Sequence, residues 1–81
     1  MKITSVNNEG NLHNVYFDNG VWVGLNFKDE SWEYEDENDE ESYCSGWLGL
    51  DGNTLIDYDG CFELPGEVIE AVKYFDYKID L

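Results

Sequence analysis

The segment Val15-Tyr16-Phe17-Asp18-Asn19-Gly20-Val21-Trp22-Val23 sets two runs of β-branched and aromatic residues around Asn19-Gly20. Asn and Gly tolerate the positive φ that both central positions of a type I′ turn require, so the segment predicts an antiparallel hairpin with a two-residue loop. In that register Tyr16 faces Val23, Asn14 faces Leu25 and Leu12 faces Phe27, giving one mainly apolar face. The opposite face carries His13, Val15, Phe17 and Trp22, to be covered by another element or left open as a binding surface.

Outward from this hairpin the pattern stays β. A strand near Lys2 to Asn7 reaches Leu12 through the turn Asn8-Glu9-Gly10-Asn11, although Ile3 and Val6 differ in parity. Trp47-Leu48-Gly49-Leu50, Asp51-Gly52 and Asn53-Thr54-Leu55-Ile56-Asp57-Tyr58 form a second hairpin signal, with Gly46 and Gly49 pointing to a bulge or a close backbone approach. One helix is expected over about 65–75. Pro65 suits its first position, Glu67 complements the positive end of its dipole, and Val68, Ile69, Val72 and Phe75 recur at helical spacing. Tyr77, Ile79 and Leu81 then alternate with Asp76, Lys78 and Asp80, so the tail is expected to rejoin the sheet. The fold class is α+β: a twisted antiparallel sheet of five or six strands with one helix on a face. The chain reads as a single domain over 1–81, with an acidic strand or loop insertion at 29–41.

Charge narrows the function. The 81 residues hold 19 Asp and Glu against 4 Lys and no Arg, a formal net charge of −15. With 42% hydrophobic residues and 16% aromatics the chain is too apolar to be a disordered acidic tail. Lys2, Lys28, Lys73 and Lys78 cannot build a basic face, so neither nucleic acid nor an anionic membrane is expected as a direct partner. No apolar run is long enough for a membrane span and no leader pattern opens the chain, so a cytoplasmic location is expected. Cys44 and Cys61 are read as reduced, since a small secreted scaffold usually carries several disulfides.

Catalytic constellations are not found. His13 is the only His, no phosphate loop, GxSxG, HExxH or CxxC motif occurs, and His13, Cys44 and Cys61 are too few and too scattered for zinc. Asp57-Tyr58-Asp59-Gly60 resembles part of a calcium loop but lacks ligands at both anchors, Leu55 and Gly66. The expectation is a protein with no enzyme activity, no catalytic or metal residues and no cofactor.

The remaining signal is Asp-Glu-Ser-Trp-Glu-Tyr-Glu-Asp-Glu-Asn-Asp-Glu-Glu at 29–41, with nine acids, two aromatics and no cation. A solvating loop is the plain reading. Yet Trp32 and Tyr34 alternate with Glu33 and Glu35, so the first half fits a strand with its aromatics toward the core or a partner and its acids on the other side. Net charge also far exceeds the magnitude of about 2–8 that keeps a small domain soluble. Asp29, Glu30, Trp32, Glu33, Tyr34, Glu35, Asp36, Glu37, Asp39, Glu40 and Glu41 are therefore the candidate partner-binding residues, and the partner they fit is a basic protein.

By size, lack of Arg, acidity and aromatic-rich α+β pattern, the whole chain resembles the small DNA-mimic inhibitors of phages and mobile elements, which include anti-CRISPR and antirestriction proteins. The residues carrying the likeness are chiefly 29–41, joined by Asp51, Asp57, Asp59, Glu63, Glu67 and Glu70. It is a likeness of composition with no family motif, and it transfers no contact residue. It implies a stoichiometric inhibitor that blocks the DNA site of a CRISPR effector or restriction enzyme. An immunity protein or antitoxin against a nuclease toxin would use the same surface physics, and an acidic regulatory module with a solvating loop is the alternative of a different class.

Overall fold

The computed structural model describes residues 1–60 and 63–81. Among these residues seven strands and one helix follow in the order β1 (Ile3–Glu9), β2 (Leu12–Phe17), β3 (Val21–Asn26), β4 (Ser31–Asp36), β5 (Asp39–Asp51), β6 (Thr54–Gly60), α1 (Gly66–Tyr74) and β7 (Lys78–Ile79). The strands lie in one sheet in sequence order, antiparallel throughout except for the parallel pair β6 and β7. The α+β class with one C-terminal helix is as expected from the sequence. The strand count exceeds the expected five or six because the acidic run contributes all of β4 and the start of β5.

The first hairpin forms with a register one residue away from the expected one. Val15 pairs with Val23, Tyr16 with Trp22 and His13 with Leu25. Its loop has three residues, Asp18 to Gly20: Gly20 N–H donates to Phe17 O at 3.3 Å, and Gly20 takes φ 85°. That combination is a turn closed by a glycine bulge, which Asn-Gly serves as well as it serves a type I′ turn. The shift decides the faces. Val15, Phe17, Val21, Val23 and Leu25 now all point to one side and are buried, whereas the two-residue loop would have split them between both sides.

Two other irregularities do similar work. A bulge between Ile3 and Ser5 reconciles the parity of Ile3 and Val6, both of which pack against the core. A second, between Gly49 and Leu50, puts Leu50 opposite Leu55 after Gly49 has paired with Asp57. The turn of this hairpin is Gly52-Asn53, with Gly52 at φ 59°, one residue later than expected.

The core lies between the concave side of the curled sheet and α1. Val68, Ala71 and Val72 of α1 are buried against it, with Leu48 and Leu55 from the sheet. Pro65 acts as N-cap and its carbonyl accepts from Val68 and Ile69 N–H. Asp76 ends the helix at φ 66°, a position open to Asp because its short side chain tolerates the left-handed region. The tail then joins the sheet as expected, with Lys78 N–H donating to Asn53 O and Asp80 N–H to Leu55 O, both at 2.8 Å. His13 belongs to a ring cluster at one end of the core, 4.7 Å from Phe75 and 5.6 Å from Phe27 between centroids, with Nδ1 2.6 Å from Asn8 Oδ1.

Cys44 is buried and disulfide-bonded. This corrects the expectation of a reduced thiol there. The rule that small secreted scaffolds carry several disulfides does not bar a single one. The same expectation for Cys61 lies outside the described residues.

Candidate functional site

Strand β4 carries the predicted alternation. Trp32 and Tyr34 point to the core side, and Glu33 and Glu35 to the outer side of the sheet, where Glu33 pairs across to Ser45 and to Gly24. Trp32 is 1% exposed, and its Nε1–H donates to Asp59 O at 2.9 Å. Of the two orientations open to it from the sequence, it takes the core one, so it is not the surface anchor of the candidate list. The reason lies across the sheet: Trp32 pairs with Gly46 and Gly46 with Gly60, the missing side chain of Gly60 leaves the space that the indole fills, and that of Gly46 lets the Asp59 backbone, whose carbonyl accepts the indole N–H, come close. Tyr34 is half-buried and also packs on the core. Burial, then the carboxylates of Glu67, Asp36 and Asp39, push its hydroxyl pKa up.

The other candidate residues form two separate groups. Asp29 and Glu30 occupy the β3–β4 turn, where Asn26 Oδ1 accepts from Lys28 and Asp29 N–H and Glu30 sits at φ 54°. Asp36, Glu37, Asp39, Glu40 and Glu41 lie at the other end of β4, roughly 17 Å away at a rise of ~3.4 Å per residue. There Asp36 pairs with Asp39 around the turn Glu37-Asn38, so the expected insertion is built into the sheet. The tip is fastened from several sides. Asp36 Oδ1 accepts from Asn38 N–H at 2.9 Å, Ser42 Oγ donates to Asp39 O at 2.6 Å, and Glu37 N–H donates to Gly20 O at 3.0 Å. Asn19 at the neighbouring hairpin tip donates to Glu67 Oε2 at 3.0 Å, which joins α1 to the same acidic end.

Between these groups runs the outer face of the sheet, where carboxylates and aromatics interleave. Tyr16 and Trp22 sit beside Glu9, Glu35 and Glu37 in one shallow groove. Trp22 Nε1–H donates to Asn14 Oδ1 at 2.8 Å, and Asn14, itself 4% exposed, donates onward to Asn7 and Glu9. Tyr43 donates to Glu33 Oε1 at 3.1 Å; burial of the hydroxyl, then that hydrogen bond and the Glu33 charge, push its pKa up. Trp47 and Ile56 line a second groove with Asp29, Glu30 and Asp57. Sequence reasoning missed Tyr43 and Trp47. Their parity is opposite to that of Cys44, Gly46 and Leu48, and that alternation was the available signal.

Cations hardly touch this surface. Among the described residues the ion pairs within 4.0 Å are the Met1 amino group with Asp18, at 3.9 Å, and Lys73 with Glu70, at 3.6 Å. Among the same residues the carboxylates of β4 and its two flanking turns have no such partner. Also among the described residues, no group of three or more His, Cys, Asp or Glu is placed to hold a metal ion, and no helix is long and apolar enough to cross a membrane. Compared with known proteins, the chain matches no family model, no curated protein and no solved structure.

Proposed function

We propose that the protein is a stoichiometric inhibitor that presents an ordered array of carboxylates to the nucleic-acid site of a basic protein, a CRISPR effector or a restriction enzyme. The observation that carries this reading is the fastened acidic tip, Asp36 to Glu41, continuous along β4 with Glu33 and Glu35 and without an ion-pair partner among the described residues. A solvating loop needs no such fastening, whereas a charge array that stands in for phosphates gains from being held in place before binding. Same-face residues along a strand repeat every ~6.6–6.8 Å, twice the ~3.4 Å rise per nucleotide of one DNA strand, so Glu33 and Glu35 match the spacing of alternate phosphates, and a run of consecutive acids such as Asp39, Glu40 and Glu41 approaches the charge density of one strand.

The reading places the protein in the cytoplasm of the cell that holds its target. The test uses the immobilised protein at low salt, with the retained nuclease or effector complex displaced by a DNA duplex. Binding is expected to weaken steeply between about 50 and 300 mM salt, as screening shortens the reach of the charges. A retained partner that DNA does not displace, or inhibition that survives neutralisation of residues 35–41, overturns the reading.

A further inference from the structure

The end of the sheet opposite the acidic tip presents something other than charge. Trp47 is 50% exposed and Ile56 48%, two large apolar side chains lining one open groove of about 430 Å³. Isolated exposed apolar residues are ordinary, but two that share a groove rimmed by carboxylates form a local site for a mixed ligand. Its rim is Asp29 and Glu30 on the β3–β4 turn and Asp57 on β6. The turn is held rigidly: Leu48 N–H donates to Glu30 O at 2.7 Å, and Asn26 Nδ2–H donates to Asp29 Oδ2 at 3.2 Å.

We propose that this groove seats an arginine side chain of the basic partner. The inference deepens the inhibitor reading and rests on it, because that reading supplies the positive sign of the partner. An arginine fits both halves of the groove. Its guanidinium stacks on an indole face while donating to carboxylates in a fixed fork, and its aliphatic stem covers an apolar neighbour such as Ile56. A lysine ammonium has the charge without the plane or the fork, so the groove distinguishes the two. The contact places an anchor about a strand length from the tip, so that tip and groove together fix the orientation of the partner.

The experiment titrates the isotopically labelled protein with the capped peptide Gly-Arg-Gly and, separately, Gly-Lys-Gly, following the indole N–H signals. Trp22 and Trp32 have their indole N–H groups bonded to Asn14 and Asp59 and serve as internal references. The arginine peptide is expected to move the Trp47 signal saturably and to bind more tightly than the lysine peptide. Ile56→Ser, followed at the Trp47 indole, and Trp47→Ala, followed at the backbone N–H signals of Glu30 and Asp57, are each expected to weaken it, the latter about two- to fivefold, the size of an exposed cation–π contact. Shifts confined to residues 36–41, with Trp47 unmoved, overturn the arginine seat and leave the acidic reading standing. Equal binding of the two peptides also overturns it. If neither peptide binds and the inhibitor lacking its tip charges still works, both fail.

Discussion

The indole Nε1–H of Trp32 donates to the backbone carbonyl of Asp59, two strands away, at 2.9 Å. The bond crosses β5 because Gly46 admits the Asp59 backbone and Gly60 admits the ring, so a residue that the sequence leaves open to core or partner becomes a centre of the core. Trp32→Ala is expected to cost about 3–5 kcal/mol as a large cavity opens. Trp32→Phe costs about 1–3 kcal/mol by leaving the carbonyl without its donor. An added Cβ at Gly60 meets the Trp32 ring, so Gly60→Ala is expected to destabilise by about 1–3 kcal/mol through overpacking. Urea unfolding curves of the three variants check these values.

Tyr34 and Tyr43 both have pKa values raised above the ordinary tyrosine value near ~10. The folded protein therefore holds these protons more tightly than the unfolded chain does. That stabilisation is fully present below the unfolded pKa and is lost as pH rises through the folded values. Melting temperature is expected to fall from about pH 10 upward, and the fall is shallower in Tyr34→Phe and Tyr43→Phe. Thermal melts between about pH 9 and 12 measure it, and equal slopes in wild type and variants contradict it.

The acidic tip works against the fold that presents it. Glu37→Gln, Asp39→Asn, Glu40→Gln and Glu41→Gln together remove four like charges while keeping side-chain shape and, at residue 39, the acceptor for Glu41 N–H. The quadruple variant is expected to melt at a higher temperature than the native sequence at low salt, with the gap closing near 1 M salt, where the screening length falls to about 3 Å. The same variant is expected to lose inhibition. Higher stability with lower binding separates a functional charge array from a structural one.

Cys44 is 3% exposed and disulfide-bonded. Reductant or Cys44→Ala is expected to lower stability by about 2–4 kcal/mol. The variant is expected to fold, because the core cluster of Val, Leu and Trp residues remains. Denaturant melts with and without reductant measure the loss, and their coincidence contradicts it.

Several elements were legible from residues alone for identifiable reasons. The helix had Pro65, Glu67 and apolar residues at helical spacing, and it forms over Gly66–Tyr74. The alternation in 31–36 placed Glu33 and Glu35 on the side opposite Trp32 and Tyr34. What resisted was register. Asn19-Gly20 marks a turn but serves both a two-residue and a three-residue loop, and that single residue of slip exchanges the core face of β2 for its outer face. The acidic run likewise read as one strip, because adjacency in sequence says nothing about which end of a strand each residue occupies.

Charge, element types and the in-out order of β4 were determined by the sequence itself, since they rest on composition and local periodicity. Which tryptophan is core and which is surface was decided only in the tertiary structure. Trp32 and Trp47 are the same residue type in strands of similar pattern, and each becomes what it is by what stands opposite. Trp32 meets the hollow left by Gly60, while Trp47 faces outward beside Asp59, Asp57 and Ile56 and stays exposed. Burial is a property of the partner strand as much as of the side chain, and strand partners are chosen only when the sheet closes over its core.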